Sequence, residues 1–364
     1  MALEESRLAV LDDAQAIGRL DPEGMLAKAE DFAAQCAEGL RLGDSMHLGE
    51  AFREPGNIVV TGMGGSAISG DLLAAIFMDR LPAPVIVVRD YRLPAFVGKD
   101  TLLFAVSHSG NTAETLSALD DAVKRKARVI CLCSRGEMRK KARAAGYPCV
   151  PLPPGKRPRA NTGYLLMPMV ALVERFGLVR PDPAARREAI QVLKQQEKEL
   201  GRKVAARRNP AKKLAGDLWN RFPFIYAAMP WLGAAAFRWR TQLNENSKAL
   251  AISHELPELD HNEVVGWECG GDTVQDPVWV MLRPRRSDGE TLARARFTPK
   301  VIGRKVALRT VTASGRSRLA QILSLVHFGD MVSLYLAFLN GVNPADTTPI
   351  DTLKKMMAAR ARNR

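Results

Sequence analysis

Short apolar runs alternate with stretches of helical periodicity along the first half of the chain. The runs are rich in valine, isoleucine and leucine and lie at residues 57–61, 84–88, 102–106, 129–132 and 149–152. Runs of this kind predict buried strands. Between them, apolar residues recur at the spacing of an amphipathic helix. Because strands that alternate with helices are typical of a parallel sheet covered on both faces, the pattern predicts a doubly wound α/β domain.

The second half of the chain repeats this pattern. Apolar runs at residues 222–228, 278–282 and 306–311 predict further strands. The segment after Gly315 carries apolar residues at helical spacing as far as Leu336. We therefore expect two tandem domains, each a doubly wound parallel sheet flanked by helices.

A polar, basic stretch separates the two patterns. Residues Pro181 to Lys213 predict one long amphipathic helix, and Asn209 followed by Pro210 predicts a helix cap with proline at the first helical position. The predicted division of the chain is an N-terminal domain at 1–180, a helical linker at 181–213 and a C-terminal domain at 214–364.

Hydroxyl side chains cluster in the turn after the third predicted strand. Ser107, Ser109 and Thr112 supply three hydroxyl groups, and Gly110 allows a close backbone approach. A helix is predicted to begin at this turn, and the free N–H groups at a helix N-terminus favour anions. The turn is therefore a candidate phosphate-binding loop.

A second glycine-rich turn, Gly62–Asp71, follows the first predicted strand in the same way. Its Gly-x-Gly start is only a weak dinucleotide signal, since the following acidic residue is displaced and the lysine of a Walker A loop is missing. The plain alternative is a tight strand-to-helix turn without a ligand. Two serine-containing loops of the same kind favour phosphate binding.

The sequences Gly62-Met63-Gly64-Gly65-Ser66 and Ser107-His108-Ser109-Gly110-Asn111-Thr112 resemble the sugar isomerase (SIS) domain, an α/β module that binds phosphosugars. The later segments Gln242–Lys248 and Glu255–Trp267 closely resemble the bifunctional phosphoglucose/phosphomannose isomerases, which carry two SIS domains in tandem. The resemblance extends from about residue 20 to the end of the chain. It implies that the substrate phosphate binds to Gly65, Ser66, Ser107, Ser109 and Thr112.

Glu245, between two asparagines, is the candidate catalytic base. The resemblance implies that it moves a proton between C2 and C1 of the sugar through a cis-enediolate. The alternative is a solvated glutamate at a helix end. The sequence contains no H-x-x-H or HExxH pattern, so a reaction without metal or cofactor is expected.

The resemblance also implies two residues for ring opening. His261 is expected to act in the active site of the second subunit of a homodimer, although a histidine that caps a turn would have the same sequence neighbours. Lys354 resembles the C-terminal lysine of the family, with Lys355 as the alternative and a plain surface lysine as a third possibility.

Arg159 ends a proline-rich loop, and the resemblance implies that it stabilises the enediolate or holds a substrate oxygen. Arg157 is its rival for this role. His108 is placed outside the site. Thr347 or Thr348 is a candidate for the wall that tolerates both epimers at C2.

The composition narrows the possible partners. The chain of 364 residues carries 53 basic and 39 acidic residues, a net charge of +14, but the basic clusters are scattered and only 6% of residues are aromatic. This favours a solvated basic surface that steers phosphosugars over nucleic-acid binding. No apolar run approaching membrane-spanning length and no secretory leader are recognised, and five cysteines without a CxxC pair indicate buried free thiols. A cytoplasmic protein is expected.

The leading hypothesis is an isomerase that interconverts glucose 6-phosphate, and also mannose 6-phosphate, with fructose 6-phosphate. A phosphosugar-binding regulatory protein is the main alternative, although no DNA-binding segment is recognised. Another SIS enzyme, such as an aminosugar or pentose phosphate isomerase, is disfavoured by the tandem layout. The sequence leaves open the preference for glucose or mannose and the direction of the pathway.

Overall fold

Two parallel sheets organise the computed structural model, which describes residues 8–46, 48–49, 52–155, 157–286, 289–302 and 306–362. The first sheet has the strand order β2-β1-β3-β4-β5 and the second the order β7-β6-β8-β9. All neighbouring strands run parallel. The strands are β1 (Asn57–Thr61), β2 (Val85–Val88), β3 (Thr101–Val106), β4 (Arg128–Cys133), β5 (Cys149–Pro151), β6 (Phe222–Ala227), β7 (Ile252–Glu255), β8 (Pro277–Arg283) and β9 (Ala307–Thr312).

The two-sheet α/β fold predicted from the alternating pattern is confirmed. Each predicted apolar run forms a strand, and the structure adds β7, whose sequence Ile-Ser-His-Glu has no apolar run. The first-half helices are α1 (Ala14–Leu20), α2 (Met25–Glu30), α3 (Phe32–Asp44), α4 (Ile68–Ile76), α5 (Ala113–Lys124), α6 (Gly136–Ala145) and α7 (Thr162–Arg175).

The single long helix expected over Pro181–Lys213 is wrong. The segment contains α8 (Pro183–Leu200) and the start of α9 (Pro210–Leu218). The break follows from Gly201, whose backbone is extended, and from the fully buried Asn209. The Asn209 amide donates to the last carbonyl of α8 at 2.8 Å, and its oxygen accepts from two N–H groups of α9 at 2.9 and 3.1 Å. The predicted cap at Asn209 is therefore confirmed.

The remaining helices are α10 (Gly233–Gln242), α11 (Glu263–Thr273), α12 (Glu290–Ile302), α13 (Arg318–Leu339) and α14 (Thr348–Arg362). Among the described residues, α13 is the helix that would be long and apolar enough to cross a membrane, by length and composition alone. However, 89% of its most apolar segment lies buried inside the protein. It packs against α2, α4 and α8 as well as α9 and α10, which explains why it is apolar on all sides.

The topology of the first sheet places both candidate phosphate loops together. β1 pairs with β2 on one side and β3 on the other, so the chain reverses its direction of winding between β1 and β3. Ligands of doubly wound sheets bind at this switch point, beyond the carboxyl ends of the strands. The loop after β1 also packs on the end of β3, since a Cβ atom at Gly62 would lie 2.9 Å from the Val106 carbonyl oxygen.

Candidate active site

The hydroxyl-rich loop joins β3 to α5. The hydroxyl groups of Ser107 and Thr112 are hydrogen-bonded at 2.9 Å, and Ser109 is exposed. Gly110 has a φ of 69°, and a Cβ atom there would lie 1.8 Å from the carbonyl oxygen of Arg135, so glycine is required. The loop thus presents hydroxyl groups beside the N-terminus of α5, as an anion site needs.

The loop after β1 lies against the turn that carries Arg159. A Cβ atom at Gly65 would lie 2.7 Å from the backbone nitrogen of Arg159, so the glycine allows direct contact with the 3₁₀ turn Pro158–Ala160. Ser66 follows in the same loop and is buried, with its N–H donating to the Met63 carbonyl at 3.0 Å.

Arg159 projects from this turn into contacts with the second half. Its guanidinium lies 3.1 Å from Oε2 of Glu245, and it donates to the side-chain oxygen of Asn246 at 2.8 Å and to the Pro344 carbonyl at 2.6 Å. The side chain of Arg159 is 4% exposed, whereas that of Glu245 is 28% exposed. Burial lowers the pKa of Arg159, and the Glu245 carboxylate opposes this shift. The carboxylate is thus accessible in front of a buried cation.

Glu245 lies in a π-helical turn, Leu243–Ser247, that continues α10. Turns of this type are frequent at functional sites. Lys248 ends the turn in a left-handed conformation with φ 55°. Its ammonium group donates to the carbonyl oxygens of Glu245 and Asn343, both at 2.8 Å. Burial lowers the pKa of Lys248, and Arg159 contributes by charge repulsion.

A buried polar network supports Arg159 from behind. Arg238 on α10 donates to the backbone carbonyl of Arg159 at 2.9 Å and forms an ion pair with Asp330 on α13 at 2.6 Å. Gln242 donates to the other Asp330 oxygen at 3.0 Å. Burial raises the pKa of Asp330, and Arg238 opposes that shift. This network is not predicted from the sequence, and its one sequence signal is the charged residue Asp330 in the interior of the apolar helix α13.

The rival residue Arg157 has different partners. It forms an ion pair with Glu23 at 2.9 Å and donates to the hydroxyl of Thr347 at 3.0 Å. The hydrogen bond from Arg157 lowers the pKa of Glu23. Of the two arginines, Arg159 is therefore the one placed beside Glu245.

His108 lies on the buried side of the hydroxyl-rich loop. Its ring nitrogen is 3.3 Å from the side-chain amide of Asn161, and its carbonyl accepts hydrogen bonds from the N–H and hydroxyl of Ser134. Burial lowers the pKa of His108. These contacts give His108 a structural role within the loop.

His261 and Lys354 are not brought to Glu245 within one chain. His261 is exposed at the end of the 3₁₀ turn Glu258–His261, and Lys354 is exposed on α14, as is Lys355. In the part of the chain that the structure describes, neither His261 nor Lys354 forms a hydrogen bond or ion pair with Glu245. A single chain thus brings the candidate phosphate loop of Gly65, Arg159 and Glu245 together, and leaves the two ring-opening candidates outside.

Comparison with known families agrees with the fold. Residues 51–142 match the SIS domain, and residues 207–357 match the bacterial phospho-glucose isomerase C-terminal SIS domain. The class is thus a tandem SIS-domain isomerase.

Related sequences define the family more closely. A bifunctional phosphoglucose/phosphomannose isomerase of Caldicellulosiruptor bescii is 35% identical over 92% of this chain and 99% of its own length. One of Thermoplasma volcanium is 36% identical over 88% of this chain and 98% of its own. The chain belongs to the bifunctional phosphoglucose/phosphomannose isomerase family and is an isomerase.

A solved structure shares the fold at much lower sequence similarity. A glucose-6-phosphate isomerase from Chlamydia trachomatis superposes with a TM-score of 0.74 at 15% identity, over 99% of this chain and 86% of that one. At this identity the likeness concerns the fold alone.

Proposed function

We propose that the protein interconverts glucose 6-phosphate and mannose 6-phosphate with fructose 6-phosphate. The observation that supports this most strongly is the ion pair between Glu245 and Arg159, 3.1 Å long, beside the loop of Gly65. An anion site in the first half and an accessible carboxylate from the second half are the two parts that isomerisation of a sugar phosphate requires.

In the proposed mechanism, the phosphate is held by the loops of Ser66 and Ser107. The Glu245 carboxylate removes the proton from C2 of the open-chain aldose and returns it to C1, while the hydroxyl proton of O2 passes to O1. The aldose thereby becomes the ketose and the carboxylate is regenerated. Negative charge develops on the sugar oxygens of the enediolate between these steps. The buried Arg159 guanidinium is positioned behind Glu245 to stabilise that charge without reorganising water. This route uses no metal or cofactor.

Ring opening is assigned to His261 and Lys354 in a homodimer, with His261 contributed by the second subunit. The exposure of both residues supports this proposal. So do four apolar side chains on the same helix as Lys354, with exposed fractions between 42 and 66%: Ile350, Leu353, Met356 and Met357. A partner subunit that covered this helix would bury them. Lys355 stays the alternative to Lys354.

Further parts of the proposal concern organisation and location. The domain division at 1–180, 181–213 and 214–364 stays a prediction, as does a cytoplasmic enzyme that acts in glycolysis or gluconeogenesis. The phosphosugar-binding regulatory protein is not favoured, because binding alone gives no role to a carboxylate paired with a buried arginine.

The test is to incubate the purified protein with fructose 6-phosphate and identify every aldose phosphate formed. We expect both glucose 6-phosphate and mannose 6-phosphate, at rates unchanged after dialysis against a chelator. No isomerisation of any of these sugars would overturn the proposed function. Activity that disappears on chelation and returns with a divalent cation would overturn the metal-free route.

A further inference from the structure

Two cysteine thiols lie in contact close to the phosphate-binding edge of the first sheet. The sulfur atoms of Cys133, on β4, and Cys149, on β5, are 3.5 Å apart. Cys133 is buried, whereas Cys149 is partly exposed. β5 has three residues and lies at the edge of the sheet, where β4 is its one neighbouring strand among the described residues, so it can shift towards Cys133 without disturbing another strand. The proposed reaction uses neither thiol.

The surroundings favour Cys149 as the more reactive of the two thiols. A hydrogen bond from Cys133 lowers the pKa of Cys149, burial opposes this, and the charge of Arg139 on α6 lowers it further. The same contact raises the pKa of Cys133, which keeps the proton. Because the thiolate is the nucleophilic form of cysteine, Cys149 is the thiol that an oxidant would meet first.

Cys133 is directly connected to the hydroxyl-rich loop. The next residue, Ser134, donates its N–H at 3.0 Å and its hydroxyl at 2.6 Å to the carbonyl of His108. Met138, slightly further on, donates its N–H to the Gly110 carbonyl at 2.9 Å. A displacement of the end of β4 would therefore be transmitted to the loop that carries Ser107 and Thr112.

We propose that Cys133 and Cys149 are a reversible oxidation site, at which a peroxide forms a disulfide that weakens phosphosugar binding. The Cys149 thiolate attacks one peroxide oxygen, an S–O bond forms, the O–O bond breaks and hydroxide leaves. The Cys133 sulfur then attacks Sγ of Cys149, and its proton goes to the departing hydroxide as S–S replaces S–O. Two thiols together lose two electrons, and one peroxide becomes two waters. The effect on binding rests on the proposed function, whereas the disulfide does not.

The test uses full-length protein carrying Cys269→Ser, which removes the exposed thiol. After treatment with hydrogen peroxide, we expect a peptide containing Cys133 to be joined to one containing Cys149, with reversal by dithiothreitol. The KM for fructose 6-phosphate should rise about fivefold to tenfold, as when one ordinary hydrogen bond is lost, and kcat should change less. Further substitution of Cys149→Ser should abolish both effects, and Cys131→Ala, at a neighbouring buried thiol, should abolish neither.

Absence of the cross-linked peptide would overturn the proposal, and so would a cross-link that leaves KM unchanged. Because Cys133→Ser alters a buried position, Cys149→Ser is the decisive variant, and its melting temperature is measured alongside. The cross-link is detected by mass and needs no activity, so a reduced enzyme without isomerase activity would count against the proposed function alone.

Discussion

The two domains differ in what lies at equivalent helix N-termini. β1 and β6 each lie second in their sheets, and each is followed by a turn that opens a helix. In the first domain that turn is glycine-rich and reaches Ser66. In the second it is the 3₁₀ turn Pro230–Leu232, and the carboxylate of Glu255 lies on the first helical residue: a Cβ atom at Gly233 would be 1.7 Å from its Oε2.

The comparison shows how two domains of the same fold can have different roles. A helix N-terminus attracts an anion in either domain, but in the second domain the chain supplies its own carboxylate. Burial raises the pKa of Glu255, and the neighbouring His254 opposes this shift. With that position filled, the contribution that we propose for the second domain is Glu245, just beyond the other end of α10, and the loops of the first domain are the proposed phosphate site.

The largest expected effect follows from Glu245→Gln, which removes the base and keeps the shape. We expect kcat to fall about 100- to 10,000-fold, the usual contribution of a positioned base, with the Kd for fructose 6-phosphate nearly unchanged. Steady-state kinetics and calorimetry measure the two quantities. Glu199→Gln, on α8, is the matched control. Unchanged turnover would remove the catalytic role from the second domain.

The double substitution Ser107→Ala with Thr112→Ala tests the other side of the comparison. Hydrogen bonds to charged groups contribute about 1.5–3 kcal/mol, so KM should rise roughly 10- to 100-fold with a smaller change in kcat. Ser45→Ala, at the end of α3, serves as the control. Wild-type KM in the double variant would show that phosphate is held elsewhere.

Gly65→Ala is expected to affect both phosphate binding and the position of Arg159. The added Cβ atom would lie 2.7 Å from the backbone of Arg159, so the phosphate loop and the arginine must separate. We expect kcat/KM to fall at least tenfold and stability to fall by about 1–3 kcal/mol, as for other overpacked sites. Gly98→Ala, where no atom lies within 4 Å of the new Cβ, should leave both unchanged. Wild-type kinetics in Gly65→Ala would refute this coupling.

Glu255→Gln should give the smallest effect. A raised pKa of the Glu255 carboxyl means that the folded state binds the proton more tightly than the unfolded state does. The free energy of unfolding therefore falls as the pH rises from the ordinary pKa of a glutamate through the raised pKa of the folded state. Removing the charge should therefore leave kinetics unchanged and alter stability at neutral pH by under about 1 kcal/mol, in the favourable direction. Thermal melts of both proteins between about pH 4 and 7 check the sign. A lower stability only at neutral pH would show that the carboxylate charge is needed at Gly233.

Features set by local sequence were predictable. Strand runs and the Asn209–Pro210 cap depend on neighbouring residues, and the structure contains them. The break after α8 was missed because a buried asparagine that joins two helix ends has the same local sequence as an exposed one. β7 was missed because its pairing with β6 stabilises a polar segment.

The candidate site also has a part that the sequence predicts and a part that depends on tertiary packing. The hydroxyl-rich loop stands out as a motif, and Glu245 can be proposed from the family resemblance of the segment around it. The support of Arg159 by Arg238 and Asp330 joins residues far apart in sequence, and only packing of α10 against α13 brings them together. Periodicity carries no information on such a pairing.

The most direct test of the central claim is hydrogen exchange at the substrate. Wild-type and Glu245→Gln proteins are incubated with fructose 6-phosphate in deuterium oxide, and deuterium at C2 of the aldose phosphate is followed by NMR. We predict incorporation by the wild type, because the proton held on the partly exposed Glu245 exchanges in part with solvent before it is returned to the sugar. We predict loss of incorporation in the variant, which still binds the sugar phosphate. Incorporation by Glu245→Gln at the wild-type rate would contradict the assignment of proton transfer to this carboxylate.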